Sequence, residues 1–281
     1  SLIFLLIGFI QSLFIILKLK PSRCISFGGY ATFMPLAVVL LTKSFVKSKL
    51  YLHEQNSIIG KVNLFFLPFS EYIFTNFDLI QNLQKKYKKK KYFVGLPLDS
   101  NINKIKINES RKSIKKIVFI YGGSQGSVPL IDKFILILKK FNQIELNKIK
   151  LIIQSPKIIF EQLESSLKKI NVEYTINEFY NNIGEILSIT HLAFTRAGSG
   201  TINDIIQYRV PSIIMPLPHS IYNHQYYNAK YLCDKKGAIL IDEKNFNVDI
   251  NTNIFKDLVS ENEKSKVMTE ALKKIILPNA N

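Results

Sequence analysis

The sequence IVFIYGGSQG, residues 117–126, is the strongest indication of the fold of this chain. Ile117 to Tyr121 form a continuous apolar run typical of a buried strand, and a glycine-rich turn follows directly. A helix is predicted next, from Leu130 to Lys140. Glycines let the backbone approach a ligand closely, and a helix N-terminus favours an anion. The stretch therefore predicts a strand–turn–helix unit with a candidate anion site, and a tight turn without a ligand is the alternative.

The same alternation of strands and helices continues on both sides of this stretch. Further strands are predicted at 24–27, 50–52, 73–75, 92–94, 150–154, around Tyr174, 192–195 and 212–215. Further helices are predicted at 35–45, 160–170, 201–208 and 224–232. This spacing is typical of βαβ units in parallel sheets. The fold class is therefore predicted as α/β with two doubly wound domains, 1–97 and 117–281, joined by a polar, lysine-rich linker, 98–116. A ligand is expected at the carboxyl ends of the strands.

The composition excludes several classes of protein. The chain has 281 residues, of which 47% are apolar and 21% charged, so a wholly disordered chain and a disulfide-stapled scaffold are ruled out. Two cysteines, Cys24 and Cys233, fit a reducing compartment. A metal site is not expected, because only four histidines are present and none forms an HxxxH pair.

The net charge of +17 suggests a nucleic acid, an anionic membrane or a phosphate-rich substrate as partner. Only four of the 38 basic residues are arginines, whose fork geometry suits phosphate and base recognition better than lysine does. No nucleic-acid recognition motif is visible, so we expect no nucleic acid partner. A surface rich in solvated lysines is the alternative explanation of the charge.

Residues 2–17 are almost wholly apolar, and Lys18 and Lys20 follow. A helix of these residues would be about 24 Å long, against a bilayer core of about 30 Å. A buried or membrane-dipping helix is therefore favoured over a membrane span. A signal peptide fits poorly, since no basic stretch precedes the run and no cleavage site follows it.

Three further groups of polar residues follow predicted strands. The turn Arg196–Thr201 opens a helix that contains Asp204, a candidate for binding ribose hydroxyls or for compensating the helix dipole. Gln225 and Asn228 lie three residues apart on one helix face, where amides suit sugar hydroxyls. The segment His53–Asn56 follows an apolar strand directly.

Taken together, these motifs resemble the MurG family, the UDP-N-acetylglucosamine transferases of peptidoglycan synthesis that make lipid II from lipid I. The matching strings are FGGY (27–30), HEQN (53–56), GKVN (60–63), GGSQG (122–126), RAGSGT (196–201), PLPH (216–219) and NHQYYNA (223–229). The resemblance implies a GT-B fold whose two Rossmann-like domains face a cleft. It also implies inverting transfer of N-acetylglucosamine to the 4-hydroxyl of the lipid-linked N-acetylmuramoyl pentapeptide, without a cofactor or metal.

The resemblance assigns roles residue by residue. The residues implied for UDP-N-acetylglucosamine are Ser124, Gln125, Gly126, Tyr180, Ser199, Gly200, Thr201, Asp204, His224, Gln225 and Asn228. Those implied for the lipid acceptor are Tyr30, His53, Glu54, Asn56 and Asn63. The further implied partners are lipid I and the anionic leaflet on the cytoplasmic face of the inner membrane. Leu2 to Leu17 and the lysines of 85–91 are candidates for peripheral contact with that leaflet, and a solvated loop is the alternative for 85–91.

The chain departs from the family pattern at three places. The family's opening GGTGGH loop, whose histidine is the favoured general base, has no counterpart here, so the catalytic base is unassigned and the N-terminal domain is expected to be incomplete. The family's GNPVR turn reads GLPLD at 95–99, and Asp204 replaces the usual glutamate. We therefore expect the 281-residue chain alone to be inactive. A degenerate, non-catalytic nucleotide-sugar-binding protein is the alternative function.

Overall fold

The computed structural model describes residues 2–96, 114–123, 126–260 and 263–278. The chain divides into two compact units, which we call unit 1 (Ser1–Pro97 with Pro278–Asn281) and unit 2 (Leu98–Leu277). Each unit contains one sheet, and every strand pair in both sheets is parallel. The predicted α/β class is confirmed.

Unit 1 is built on a four-stranded sheet with the order β1-β2-β3-β4. Its strands are β1 (Arg23–Ser26), β2 (Lys49–Glu54), β3 (Tyr72–Thr75) and β4 (Lys91–Phe93). Its helices are α1 (Leu2–Leu19), α2 (Phe33–Leu41), α3 (Lys43–Val46) and α4 (Lys61–Phe66). The single helix predicted at 35–45 is two helices that meet at Thr42, whose hydroxyl donates to the Val38 carbonyl. This side-chain bond competes with continued helix geometry, which explains the break.

Helix α1 packs on the unit 1 core along a narrow stripe. Ile16 is buried there, with Phe9 and Leu13 partly buried beside it. The rest of the helix surface is apolar and exposed, including Phe4 and Phe14 at 75% and 66%. Of the two predicted alternatives, burial within the protein does not hold for most of the helix surface, and membrane contact stays a prediction. Among the described residues, we find no helix with both the length and the hydropathy of a membrane span.

The lysine-rich segment 85–91, for which a solvated loop was one alternative, forms regular structure. Lys85–Lys90 form a 3-10 helix and Lys91 starts β4. The ammonium group of Lys90 donates to the carbonyls of Pro68 and Ser70, so it is held against unit 1. Lys85, Lys86, Lys88 and Lys89 stay exposed.

Unit 2 is built on a six-stranded sheet with the order β10-β9-β8-β5-β6-β7. Its strands are β5 (Lys116–Tyr121), β6 (Ile149–Gln154), β7 (Glu173–Asn177), β8 (Leu192–Thr195), β9 (Ser212–Ile214) and β10 (Ala238–Leu240). Its helices are α5 (Val128–Leu138), α6 (Gln143–Leu146), α7 (Phe160–Ile170), α8 (Ile183–Ile189), α9 (Ser199–Tyr208), α10 (His224–Asp234), α11 (Val248–Val259) and α12 (Glu263–Lys273). Most of the predicted linker, 98–113, lies outside the described residues.

Strand β5 lies between two buried cores, as its continuous apolar run predicts. Val118 and Ile120 pack in the larger core with α5, α7, α11 and α12. Ile117, Phe119 and Tyr121 pack in the smaller core with α8 and the end of α9. Helices therefore cover both faces of the sheet, and the side at the carboxyl ends of the strands is left open.

Candidate active site

A cavity of about 670 Å³ lies at the carboxyl ends of β5, β6 and β8, within unit 2. Its size falls in the range of small-molecule sites. It is lined by Tyr121, Gly122, Gly123, Gly126, Ser127, Gln154, Phe179, Ile183, Arg196, Gly198, Ser199, Gly200, Thr201, Asp204, Leu217 and Gln225. The cavity thus brings together residues of the two predicted glycine turns, which are about 70 residues apart in the sequence.

The glycine turn after β5 forms one wall. Gly126 has φ of +69°, and a Cβ added there would lie 2.8 Å from Cδ of Pro156. Both the backbone conformation and the close approach require glycine at this position. Ser124 and Gln125, which were predicted to meet the diphosphate, lie outside the described residues. Their role stays a prediction.

The N-terminus of α9 forms a second wall. Gly198 is the N-cap and lacks a side-chain capping bond, and the first backbone bond of the helix runs from Ile202 N to Gly198 O. The N–H groups of Ser199, Gly200 and Thr201 therefore have no acceptor within the helix. The first turn carries no acidic residue. The positive end of this helix is thus available to an anion in the cavity.

Arg196 holds the two walls together, a role the sequence analysis did not assign. Its side chain is buried, and Nε and Nη2 donate to the Ser127 hydroxyl at 3.1 and 3.0 Å. Nη1 donates to the carbonyls of Met215 and Pro216 and to the Glu243 carboxylate, the last at 2.6 Å. The fork of the guanidinium thus ties the first glycine turn to the ends of β8 and β9.

Gln225 and Asn228 brace the second glycine turn from α10. Oε1 of Gln225 accepts from the N–H groups of Leu217 and Ala197 at 3.0 and 3.3 Å. Nδ2 of Asn228 donates to the Ala197 carbonyl at 3.1 Å. Gln225 lines the cavity, whereas Asn228 is fully buried behind the turn. His224, predicted to lie by the sugar, bonds the Ile221 carbonyl through Nδ1 and is not a lining residue.

Asp204 lies one turn inside α9 and lines the cavity, where its predicted ribose role would place it. Burial raises its pKa from the ordinary value of 3.8 to about 7. Burial also raises the pKa of Tyr121 and of Tyr208, and the charge of Asp204 adds to both shifts. The carboxylate therefore sits in a poorly hydrated wall where a hydroxyl donor would stabilise its charge.

Two aromatic residues after β7 have different surroundings. Tyr180, predicted to meet the base through its backbone, is buried and packs edge-to-face on Phe119 with ring centres 5.9 Å apart. Phe179 is 55% exposed and lines the cavity. Gln154, the last residue of β6, also lines it and was missed by the sequence analysis. A glutamine that ends an apolar strand was the available signal.

The residues predicted for the acceptor lie in unit 1, and four of them form one buried or half-buried network. The Glu54 carboxylate accepts from the N–H groups of Asn56 and Gly60 and from Nδ2 of Asn56 and Asn63. His53 Nε2 bonds the Gly95 carbonyl at 2.9 Å, and burial lowers its pKa. Tyr30 stands apart and is exposed. The network fixes the segment after β2, and the acceptor roles of these residues stay predictions.

This chain is similar to known glycosyltransferases in sequence and in fold. The model of the glycosyltransferase family 28 C-terminal domain matches residues 117–279, which include every lining residue of the cavity. A Rickettsia prowazekii (strain Madrid E) protein is 30% identical over 92% of this chain and 74% of its own length. It is named UDP-N-acetylglucosamine--N-acetylmuramyl-(pentapeptide) pyrophosphoryl-undecaprenol N-acetylglucosamine transferase. The chain belongs to the MurG family.

Further similarities agree with this family. A transferase of the same name from Rickettsia rickettsii (strain Sheila Smith) is 29% identical over 96% of this chain and 76% of its own length. The crystal structure of Acinetobacter baumannii MurG matches with a TM-score of 0.79 at 20% identity, over 100% of this chain and 78% of that one. The spinosyn forosaminyltransferase SpnP matches with a TM-score of 0.64 at 12% identity, over 97% of this chain and 76% of that one. These structures confirm the predicted GT-B fold.

The MurG-family motifs are distributed over both units of the chain. Gly122, Gly123 and Gly126 of GGSQG line the unit 2 cavity together with most of RAGSGT, and NHQYYNA includes the start of the helix that braces the second of these turns. HEQN and GKVN meet in the unit 1 network. Among the described residues, no group of three or more histidine, cysteine, aspartate or glutamate side chains is placed to hold a metal ion.

Proposed function

We propose that this chain carries the donor site of a glycosyltransferase that moves N-acetylglucosamine from UDP-N-acetylglucosamine to undecaprenyl-pyrophosphoryl-N-acetylmuramoyl pentapeptide. The observation that carries the proposal is the match to transferases of this name over 92–96% of the chain. The cavity supports it, because a glycine turn and a helix N-terminus converge on one space of suitable volume. The reaction converts lipid I into lipid II.

The donor fits unit 2 with its diphosphate at the N-terminus of α9. In an inverting reaction, the 4-hydroxyl of the acceptor gives its proton to a general base, which is not assigned to a residue of this chain, and forms a bond to the anomeric carbon. The bond from that carbon to the β-phosphate oxygen breaks at the same time. The electron pair stays on the departing UDP, so negative charge grows on the diphosphate. The N–H groups of Ser199, Gly200 and Thr201 are fixed before the reaction and stabilise that charge. Asp204, further along the same helix, accepts from the ribose hydroxyls.

The binding half of the proposal is tested by calorimetric titration of UDP-N-acetylglucosamine into the 281-residue chain. We expect saturable binding that Asp204→Asn weakens, because the amide is a poorer acceptor for hydroxyls than a carboxylate. Asp132→Asn, at an exposed position of α5, is the matched control and should bind as wild type does. Absence of nucleotide-sugar binding by the wild-type chain contradicts the proposal. Transfer is then measured with radiolabelled donor and lipid I.

We further propose that unit 1 associates peripherally with the cytoplasmic face of the inner membrane. The support is the exposed apolar surface of α1, which exceeds what a soluble surface helix needs, and the lysines at its end. Phe14 is 66% exposed, and Lys18 lies 5.8 Å from the centre of its ring. An aromatic and a cation side by side suit the boundary between acyl chains and anionic headgroups.

This association is tested by flotation of the chain with vesicles that contain phosphatidylglycerol. Phe14→Asp removes an apolar side chain worth about 2 kcal/mol when buried and adds a repelled charge, so binding should fall at least tenfold. Ile158→Asp, at a still more exposed apolar position of unit 2, is the control. Equal flotation of the two variants contradicts the proposal.

A further inference from the structure

Gln154 is a buried amide that lines the unit 2 cavity. It ends β6, is 1% exposed, and lies in register with Asn177 of β7. Within the described part of the chain, neither its Oε1 nor its Nε2 has a hydrogen-bond partner. The residue nevertheless lines the cavity. A polar group in this state is uncommon, because buried amides are almost always paired.

The chemistry of the Gln154 amide limits which ligand groups can form hydrogen bonds with it. A carboxamide offers two donor hydrogens and one acceptor oxygen, so a full complement needs a ligand that both accepts and donates. Phosphate oxygens that are ionised only accept, and they would leave Oε1 unpaired. Ribose hydroxyls and the edge of a pyrimidine base supply both kinds of group. The amide is therefore better matched to a nucleoside than to a diphosphate.

The neighbours of Gln154 indicate the same end of the ligand. The helix N-terminus of α9 already supplies N–H groups for an anion. Phe179 follows β7 by two residues, and its exposed ring lines the same cavity. An exposed ring and a buried amide that line one cavity provide a stacking face and a polar contact, which together suit a base and its sugar.

We propose that the Gln154 amide hydrogen-bonds the nucleoside end of the bound nucleotide sugar and thereby determines where the donor sits. This inference rests on the proposed function, since it needs a uridine nucleotide in the cavity. Gln154 is a specificity-determining residue in this assignment and takes no part in bond making. The unliganded protein carries the cost of the unpaired amide, and the bound nucleotide removes it.

The test compares Gln154→Leu with wild type in the 281-residue chain. Gln162→Leu, at an exposed position of α7, is the matched control. The dissociation constant for UDP should rise about tenfold in Gln154→Leu and stay unchanged in Gln162→Leu. The inhibition constant of pyrophosphate against UDP should be the same in all three proteins. Without nucleotide, Gln154→Leu should melt no lower than wild type, because leucine removes an unpaired polar group.

Several outcomes overturn the inference. Unchanged UDP affinity in Gln154→Leu would show that Gln154 does not contact the nucleotide. Equal weakening of UDP and pyrophosphate binding would show that Gln154 contacts the diphosphate and not the nucleoside. If Gln154→Leu melts lower than wild type, Gln154→Met, which keeps an unbranched side chain, is titrated instead under the same criteria. Failure of wild type to bind UDP is a separate result that removes the proposed function and this inference together.

Discussion

Replacing Asp204 with asparagine should make the stability of the protein less dependent on pH. The wild-type carboxyl has a pKa of about 7 in the folded protein and an ordinary value of 3.8 when exposed, and burial is the cause. Between these two values the folded state binds a proton that the unfolded state has lost. Wild type therefore loses stability as the pH rises from about 4 to 7.

The size of the effect follows from the two pKa values. Each pH unit within this window costs the folded wild-type protein about 1.4 kcal/mol, so the full window corresponds to about 4 kcal/mol. Asparagine is uncharged at every pH and resembles the protonated carboxyl in shape. Relative to wild type, Asp204→Asn should therefore gain about 2 kcal/mol in the free energy of unfolding between pH 5 and pH 7.

Urea unfolding at pH 5, 6, 7 and 8, followed by circular dichroism, measures this difference. Asp132→Asn is the control, since Asp132 is exposed on α5 and no comparable dependence is expected of it. Ligand must be absent, because a bound nucleotide stabilises the folded state. A stability difference between Asp204→Asn and wild type that stays constant from pH 5 to pH 8 would refute the reasoning.

Two further substitutions test the frameworks around the predicted sites. Arg196→Met should lower the free energy of unfolding by about 3–5 kcal/mol, because it leaves the Glu243 carboxylate without its cation in a largely buried position. Urea unfolding measures this loss. A loss no larger than that caused by Arg23→Met, at an exposed position, contradicts a structural role for Arg196. Glu54→Gln should destabilise unit 1 by about 2 kcal/mol, because an NH2 group would then face N–H donors. Scanning calorimetry measures the second effect, and an equal shift in exposed Glu71→Gln would show that the network is unimportant.

The parallel strands could be predicted from sequence because their signal is local. The run Ile117–Tyr121 is apolar throughout, since both faces of β5 are covered. The helix α11 was not predicted, although Ile250, Ile254 and Leu258 recur at helical spacing and Asn247 caps its N-terminus. The break between α2 and α3 was missed because no proline or glycine marks it in the sequence.

The parts of the candidate site that belong to short motifs could be predicted from the sequence. The parts held by contacts between residues distant in the sequence were missed. The two glycine turns could be predicted because their composition is distinctive and each follows a strand, and residues of both line one cavity. Arg196 belongs to the quoted motif, yet its partner Glu243 lies 47 residues further along the chain. No pattern in the sequence links the two. Gln154 was missed because a single glutamine at a strand end has no distinctive spacing.

The bonds of Arg196 also affect how this part of the molecule opens. One guanidinium is shared by Ser127, the backbone after β9 and the 3-10 helix at Glu243–Asn245. None of these segments can separate from the others without breaking bonds to the same group. Their backbone amides should therefore exchange with deuterium as one cooperative block, at a rate set by a common opening, even though more than a hundred residues of sequence separate the first from the last.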